Sequence, residues 1–157
     1  MPVYAQPDEG LYLGGFPAGF MLNTQNVEVV GLCDIFTDGG AVCPARDSGI
    51  RSGDVIKSIN GIEITSATQL TQTLSESFSS YNMTIQRGGE TQEIKLNPIT
   101  DKSTGAKKLG LLVKDSINGI GTITYIDKSN NKFGSLGHPV TDNNGALIPI
   151  NGGCLYG

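Results

Sequence analysis

The sequence predicts a mainly β protein, a β-rich α+β chain with one short amphipathic helix. Three observations carry that expectation. Gly is abundant at 22 residues while Trp is absent and helix formers are sparse, which favours turns over long helices. Val, Ile and Thr gather in short runs bounded by Gly, Asn, Asp and Ser. A single stretch, around Leu70, repeats its apolar residues at three- and four-residue steps.

The elements follow in order. "LYLGG" from Leu11 is a short strand, and Phe16, Pro17, Ala18, Gly19 and Phe20 come after its glycine pair. "FMLNTQNVEVVG" offers two apolar stretches about the polar Asn23–Asn26, which predicts a turn there. A Gly- and Asp-rich loop runs from Asp34 to Pro44, and Asp47 or Ser48 is placed to cap a single helical turn. Asp54 to Ile59 is a strand, and Asn60-Gly61 is a tight-turn pair because both residues tolerate positive φ. Ile62 and Ile64 continue beyond the turn. Ser66 then caps a helix through about Ser77, with Ala67, Leu70, Leu74 and Phe78 on one apolar face. Met83, Ile85 and Arg87 alternate with polar residues, Gly88-Gly89-Glu90 turns the chain, and Ile94 and Leu96 alternate back as a hairpin.

Asn97 to Lys108 holds Pro98, Gly105 and lysines among small polar residues, the composition of a linker. The expected division is a first domain over 1–98, a linker over 99–108 and a second unit over 109–157. In the second unit Leu109–Lys114, Ile120–Ile126, Phe133–Val140 and Ala146–Tyr156 predict an antiparallel meander. Its turns fall at Asn118-Gly119, Ser129–Asn131 and Asn143–Gly145. About 50 residues of such strands bury little core and leave open edges, so the sheet is expected to continue in a longer natural protein.

Charge and composition exclude several function classes. A net charge of −4 and a pI near 4.8 disfavour a nucleic-acid-binding face, and Lys102, Lys107 and Lys108 are read as solvated linker lysines. No run of about 18 apolar residues is present, and the start shows no basic region followed by an apolar one. Cys33, Cys43 and Cys154 lack metal-ligand spacing. Cys33 and Cys43 flank a Gly-containing loop and can pair in an oxidising compartment, although all three also suit the role of small apolar fillers. With one His in the chain, neither a zinc site nor any other metal or cofactor is expected.

Two stretches carry a resemblance. Ser48-Gly49-Ile50-Arg51-Ser52-Gly53-Asp54-Val55-Ile56-Lys57-Ser58-Ile59-Asn60-Gly61 resembles the core signature of bacterial PDZ domains. The helix "SATQLTQTL" sits where such domains line their peptide groove. By that resemblance Pro17, Ala18, Gly19 and Phe20 take the place of the carboxylate-binding loop, where glycine lets backbone N–H groups converge on an anion. The strand from Phe20 through Met21 would offer its edge to an extended or C-terminal peptide. Pro17 removes one donor from that loop.

The second stretch, "GLLVKDSINGIGTITYID" followed by "NNKFGSLGHPVTD", is similar to the SpoIVB-type serine peptidases of spore-forming bacteria. In that family a PDZ domain precedes a chymotrypsin-like peptidase domain, so the meander is expected to be part of such a barrel. The resemblance implies that His138, in the "GHP" segment, is the catalytic histidine, a base whose pKa near 6.5 suits proton exchange with a serine. Pro139 biases His138 toward extended backbone. No Gly-x-Ser-Gly stretch follows His138, Ser135 lies upstream in the wrong order, and Asp142 is read as a turn residue. The chain as it stands is therefore expected to be inactive alone, and its tail after Asp142 to leave the family's pattern. The resemblance further implies work outside the cytoplasm, between mother cell and forespore. There the peptidase would cleave a membrane-bound regulator in late sigma-factor signalling, with protein or peptide segments, its own included, as partners of the PDZ unit. The other reading is a non-catalytic PDZ module with a β appendage.

Overall fold

A computed structural model of the chain describes residues 10–76, 78–136, 139–141 and 145–156. The elements are β1 (Leu11–Leu32), β2 (Ile35–Thr37), β3 (Gly40–Val42), α1 (Pro44–Asp47), β4 (Val55–Ile59), β5 (Ile62–Glu63) and α2 (Ala67–Ser75). After these come β6 (Tyr81–Arg87), β7 (Glu90–Leu96), β8 (Ile99–Thr100), β9 (Lys107–Lys108), β10 (Leu111–Asp127), β11 (Lys132–Ser135) and β12 (Ile150–Tyr156). The mainly β expectation holds, with antiparallel pairing in β1–β12, β1–β4, β10–β11, β2–β3, β4–β5, β4–β6, β6–β7 and β8–β9. Two compact units form, one from Gln25–Asp115 and one from Met1–Thr24 with Ser116–Gly157.

In the Gln25–Asp115 unit, β4 lies between β1 and β6, β7 borders β6, and β5 pairs with β4. Val27 faces Ile56, Ile56 faces Ile85 and Ile59 faces Met83, and all of these side chains are buried. Ile56 and Ile59 stand three residues apart, a spacing that would put them on opposite faces of a regular strand. The register shift between Ile56 and Ser58 inserts a bulge that turns both into the core. Asn60 at φ 50 and Gly61 at φ 80 close the turn that "NG" predicts.

The helix α2 covers this sheet with Leu70 and Thr73 buried and Leu74 packed at the margin. Ser66 caps it as expected, its Oγ accepting from the Gln69 N–H at 3.1 Å. The Tyr81 hydroxyl, with one proton to share, stands 3.0 and 2.6 Å from the Leu74 and Glu76 carbonyls and so supplies a donor to the helix end. The single turn α1 is capped differently from expectation. Cys43 occupies its N-cap, Pro44 starts it, and Asp47 and Ser48 stand at its end. Proline suits the first helical position because its absent N–H would have had no partner there.

The stretch expected to be a linker belongs to this unit. β8 and β9 pair Ile99 with Lys108 and Thr100 with Lys107. Asp101 organises the turn between them, accepting from the Ser103 and Thr104 N–H groups at 2.9 and 3.0 Å. Leu109 is 4% exposed and joins the same core as Val27 and Ile56.

The other unit orders its strands β11, β10, β1, β12. It departs from the expected meander in two ways. β10 runs straight through Asn118-Gly119, and β12 pairs with β1 rather than with β11. The expected turn at Asn23–Asn26 is likewise absent, since β1 is extended across it with a register shift between Asn23 and Thr24. The turn at Ser129–Asn131 is present, ordered by the Asp127 carboxylate. The one expected at Asn143–Gly145 lies partly outside the described residues. Among the described residues the strands form no closed barrel, and Ala18 is the one apolar residue of this unit that is fully buried.

Gly119 has a packing role instead of a turning one. A Cβ there would stand 2.3 Å from Phe20 Cζ, so the glycine makes room for the Phe20 ring on β10. The ring also lies over Gly121, which explains locally why the "GIGT" segment alternates glycine with larger residues.

Candidate functional site

A groove of about 660 Å³ lies in the Gln25–Asp115 unit. One wall is the α2 face of Leu70, Thr71, Leu74 and Ser75. The other is the run from Gly105 to Leu111 together with Val113. Along 111–115 the β10 strand has β1 on one side, and β11 joins it only from Ile123 onward. Among the described residues no strand pairs with its second edge where it borders the groove, the arrangement that admits an added strand.

The loop entering β10 is fixed in place. The Leu109 carbonyl accepts from the Ala45 N–H at 2.9 Å, and the Gly110 carbonyl accepts from the Cys33 N–H at 3.0 Å. Gly110 has φ +79, and a Cβ there would stand 2.5 Å from the Cys33 oxygen and 2.9 Å from Cys43 Sγ. Only glycine meets both demands. The three cysteines are free thiols: Cys43 is buried, Cys33 is half-buried at the groove, and Cys154 is exposed on β12 rather than serving as a filler.

The groove lining contains two lysines and no carboxylate, in a chain whose net charge is −4. Lys108 is engaged, its Nζ donating to Asp101 Oδ2 at 2.8 Å. That bond, with the Ser103 hydroxyl next in weight, holds the Asp101 carboxyl well below the usual carboxylate range. Lys107 is exposed and makes no ion pair among the described residues. An anionic group at this end of the groove would meet an uncommitted cation.

The residues singled out in the sequence fall elsewhere. Pro17, Ala18, Gly19, Phe20 and Met21 lie within β1, in the other unit, and do not form a loop. Gly19, Phe20 and Met21 pair with Tyr156, Leu155 and Cys154 of β12, so the edge proposed for a peptide is already filled by the chain itself. Ala18 is 4% exposed. His138 and Asp142 lie outside the described residues. Ser135, on β11, donates its hydroxyl to the Thr122 carbonyl at 2.6 Å and is committed to the sheet.

The signature stretch is architectural rather than ligand-facing. Asp54, 1% exposed, accepts from the Arg51 N–H at 2.8 Å and takes a two-pronged bond from Arg87 at 2.6 and 2.7 Å. Arg87 also donates to the Gly49 carbonyl at 2.8 Å. The Asp54 bond is the main cause raising the Arg87 pKa above its ordinary value. The Gly-Asp pair thus ties the α1–β4 loop to the β6 strand, with every polar group of the buried carboxylate matched.

Comparison with known proteins now bears on both units. The PDZ domain family model matches residues 41–97, and the SpoIVB peptidase S55 family model matches residues 105–157. The chain joins a PDZ domain to a SpoIVB peptidase S55 segment. The PDZ domain of the SdrC-like protein from Listeria monocytogenes, a crystal structure, is also similar, at 19% identity over 58% of this chain and 90% of that one, with a TM-score of 0.45.

The S55 match runs to Gly157, so the tail does not leave the family's pattern after Asp142 as expected. It also begins at residue 105, inside the stretch expected to be a linker. The second wall of the groove is therefore S55-matched sequence packed into the unit that holds the PDZ domain. Sequence reasoning missed this wall because it cut the chain ahead of Leu109. The available signal was "KKLGLLV", a glycine between two apolar residues at the start of a strand and preceded by lysines.

Proposed function

We propose that this chain is the N-terminal part of a SpoIVB-like sporulation serine endopeptidase whose PDZ domain binds peptide segments and so regulates proteolysis. The observation that carries this reading is the succession, in one chain, of a PDZ match over 41–97 and an S55 match over 105–157. In this reading His138 is the general base of the peptidase, and the protein acts in the space between mother cell and forespore on a membrane-bound regulator of late transcription. The peptide enters the α2–β10 groove as an added strand, its side chains against Leu70 and Leu74 and its carboxylate toward Lys107. The open strand edge and the acid-free lining support that placement.

Two experiments test it. In a spore-forming host lacking its own SpoIVB-type peptidase, the full gene of which this chain is read as the N-terminal part should restore cleavage of the regulator, and His138→Ala in that gene should abolish it. Restored cleavage in the His138→Ala strain would remove the histidine from the mechanism. For the groove, a labelled peptide ending in Leu-Val with a free carboxylate is titrated onto the full chain by fluorescence anisotropy. Lys107→Glu should weaken it by about tenfold, the loss of one charge-assisted contact of roughly 1.4 kcal/mol. An amidated peptide that binds equally well would sink the carboxylate assignment. A chain that binds peptide but never restores cleavage would instead be a non-catalytic PDZ module.

A further inference from the structure

We propose that Asn151 is a site of covalent self-modification, at which the chain's own backbone expels the side-chain nitrogen as ammonia and isoaspartate replaces the asparagine.

The sequence contains four Asn-Gly pairs, beginning at Asn60, Asn118, Asn144 and Asn151. A glycine after asparagine has no side chain to shield its backbone nitrogen, so that nitrogen can reach the asparagine Cγ. The N–Cγ bond forms and the Cγ–Nδ2 bond breaks. Ammonia leaves with the proton that the glycine amide gives up, and a five-membered succinimide closes. Water then opens the ring. Attack at the asparagine's main-chain carbonyl carbon yields isoaspartate, and attack at Cγ yields aspartate. The balance is water in, ammonia out and one negative charge gained, with no oxidant or reductant.

Three of the pairs share the local sequence Ile-Asn-Gly, so what separates them is the fold. Asn60 is locked. Its Oδ1 accepts from the Asn82 N–H at 2.9 Å, and its own N–H donates to the Asn82 carbonyl at 2.8 Å. Asn118 lies inside β10, which borders β1, and the Phe20 ring packs on Gly119. Asn144 lies outside the described residues.

Asn151 has neither restraint. Along the β1–β12 ladder Asn23 faces Gly152 and Thr24 faces Ile150, which leaves Asn151 as the extra residue of a bulge. Ile150, Asn151 and Gly152 are exposed, and among the described residues no strand covers the second edge of β12. Gly152 has φ +148, and nothing stands within 4 Å of where its Cβ would be. The attacking nitrogen thus sits in open space beside an asparagine that faces no partner across the ladder. Isoaspartate would add a methylene to the main chain at the bulge, next to the rungs that join 19–23 to β12.

Ageing the full chain in mildly alkaline buffer tests this, with products located by tandem mass spectrometry and isoaspartate counted by enzymatic carboxyl methylation. Asn151 should convert about thirtyfold faster than Asn60, equal to ~2 kcal/mol for two hydrogen bonds at 1.4 kcal/mol per tenfold. In urea, where the three Ile-Asn-Gly pairs share one unfolded environment, the rates should converge. Asn151→Gln, whose longer side chain does not close this ring, should remove the fast phase of methylation. Equal rates at Asn60 and Asn151 in the folded chain would overturn the assignment. A lead of Asn151 that persists in urea would refute the bulge as its cause. Amide exchange at 19–23 should also be faster in the aged chain than in aged Asn151→Gln, and equal exchange there would overturn the effect on the ladder.

Discussion

Replacing Leu109 by Ala tests whether the stretch after the PDZ match is part of the folded unit or a connector to the next one. Leu109 is 4% exposed and packs in one cluster with Val27, Ile56 and Leu70. Burying a leucine side chain contributes about 1.5–3 kcal/mol through removal from water. Truncation to Ala adds a cavity cost, and measured Leu→Ala losses in cores span about 2–5 kcal/mol. The groove beside Leu109 is open, so part of the void can refill with water or relax, which places this site in the lower half of that span. A loss of about 3 kcal/mol is expected, with a fall in melting temperature on the order of 10–20 °C for a unit of this size. Urea unfolding followed by far-UV circular dichroism measures it, with the slope against urea unchanged if only stability is affected. Ile120→Ala, at a side chain 86% exposed, is the control and should stay within about 0.5 kcal/mol. A cost below about 1 kcal/mol for Leu109→Ala would mean that the chain beyond the PDZ match is a tether, and the composite groove would fall with it.

Three further perturbations separate the other interactions. Ser66→Ala should cost about 1 kcal/mol by removing the α2 cap, read from the same urea curves. A cost near zero would show that the Asp115 carboxylate, which accepts from the Ala67 N–H at 2.8 Å, suffices alone. Asp101→Asn should change the pH dependence of stability. A carboxyl held below its unfolded value of 3.8 contributes stability that is present above that value and lost as pH falls through the lower folded value. The gap between wild type and Asp101→Asn should therefore be full at neutral pH and close in acid below 3.8; a gap that widens in acid would contradict the Lys108 and Ser103 bonds. Gly119→Ala places a Cβ 2.3 Å from Phe20 Cζ and should cost about 1–3 kcal/mol, seen as lost amide protection around 19–22. Protection unchanged there would mean that the Phe20 ring is not seated on β10.

The sequence made some elements legible and hid others for a definite reason. The Asn60-Gly61 turn, the Ser66 cap and the Gly88-Gly89 hairpin were readable because their chemistry is local: a positive φ or a capping oxygen is specified by the residue itself. Asn118-Gly119 carries the same dipeptide yet forms no turn, because the demand on Gly119 comes from the Phe20 ring across the sheet. Asn23–Asn26 failed in the same way, with long-range pairing of β1 overriding a polar tetrad. The PDZ signature was legible as a pattern, but the pattern reports the Asp54–Arg87 tie and not the ligand site. The groove wall was hidden because Leu109 and Gly110 owe their roles to Ala45, Cys33 and Cys43, all far away in sequence. The reading of His138 rests on its motif alone.

The division of the chain into units also sets a timetable for its synthesis. Residues 11–24 leave the ribosome before the Gln25–Asp115 unit, yet their partners on β10 and β12 lie beyond the whole of it. At about 5–20 residues per second, those partners follow roughly 5–25 seconds later. In that interval the intervening unit has all of its own core residues and is free to fold, since none of them lies outside 25–115. Leu13, at 92% exposure even in the finished chain, and Phe16 meanwhile remain uncovered on a strand without neighbours. The nascent 11–24 segment is thus the natural point of engagement for a holding chaperone until β12 emerges.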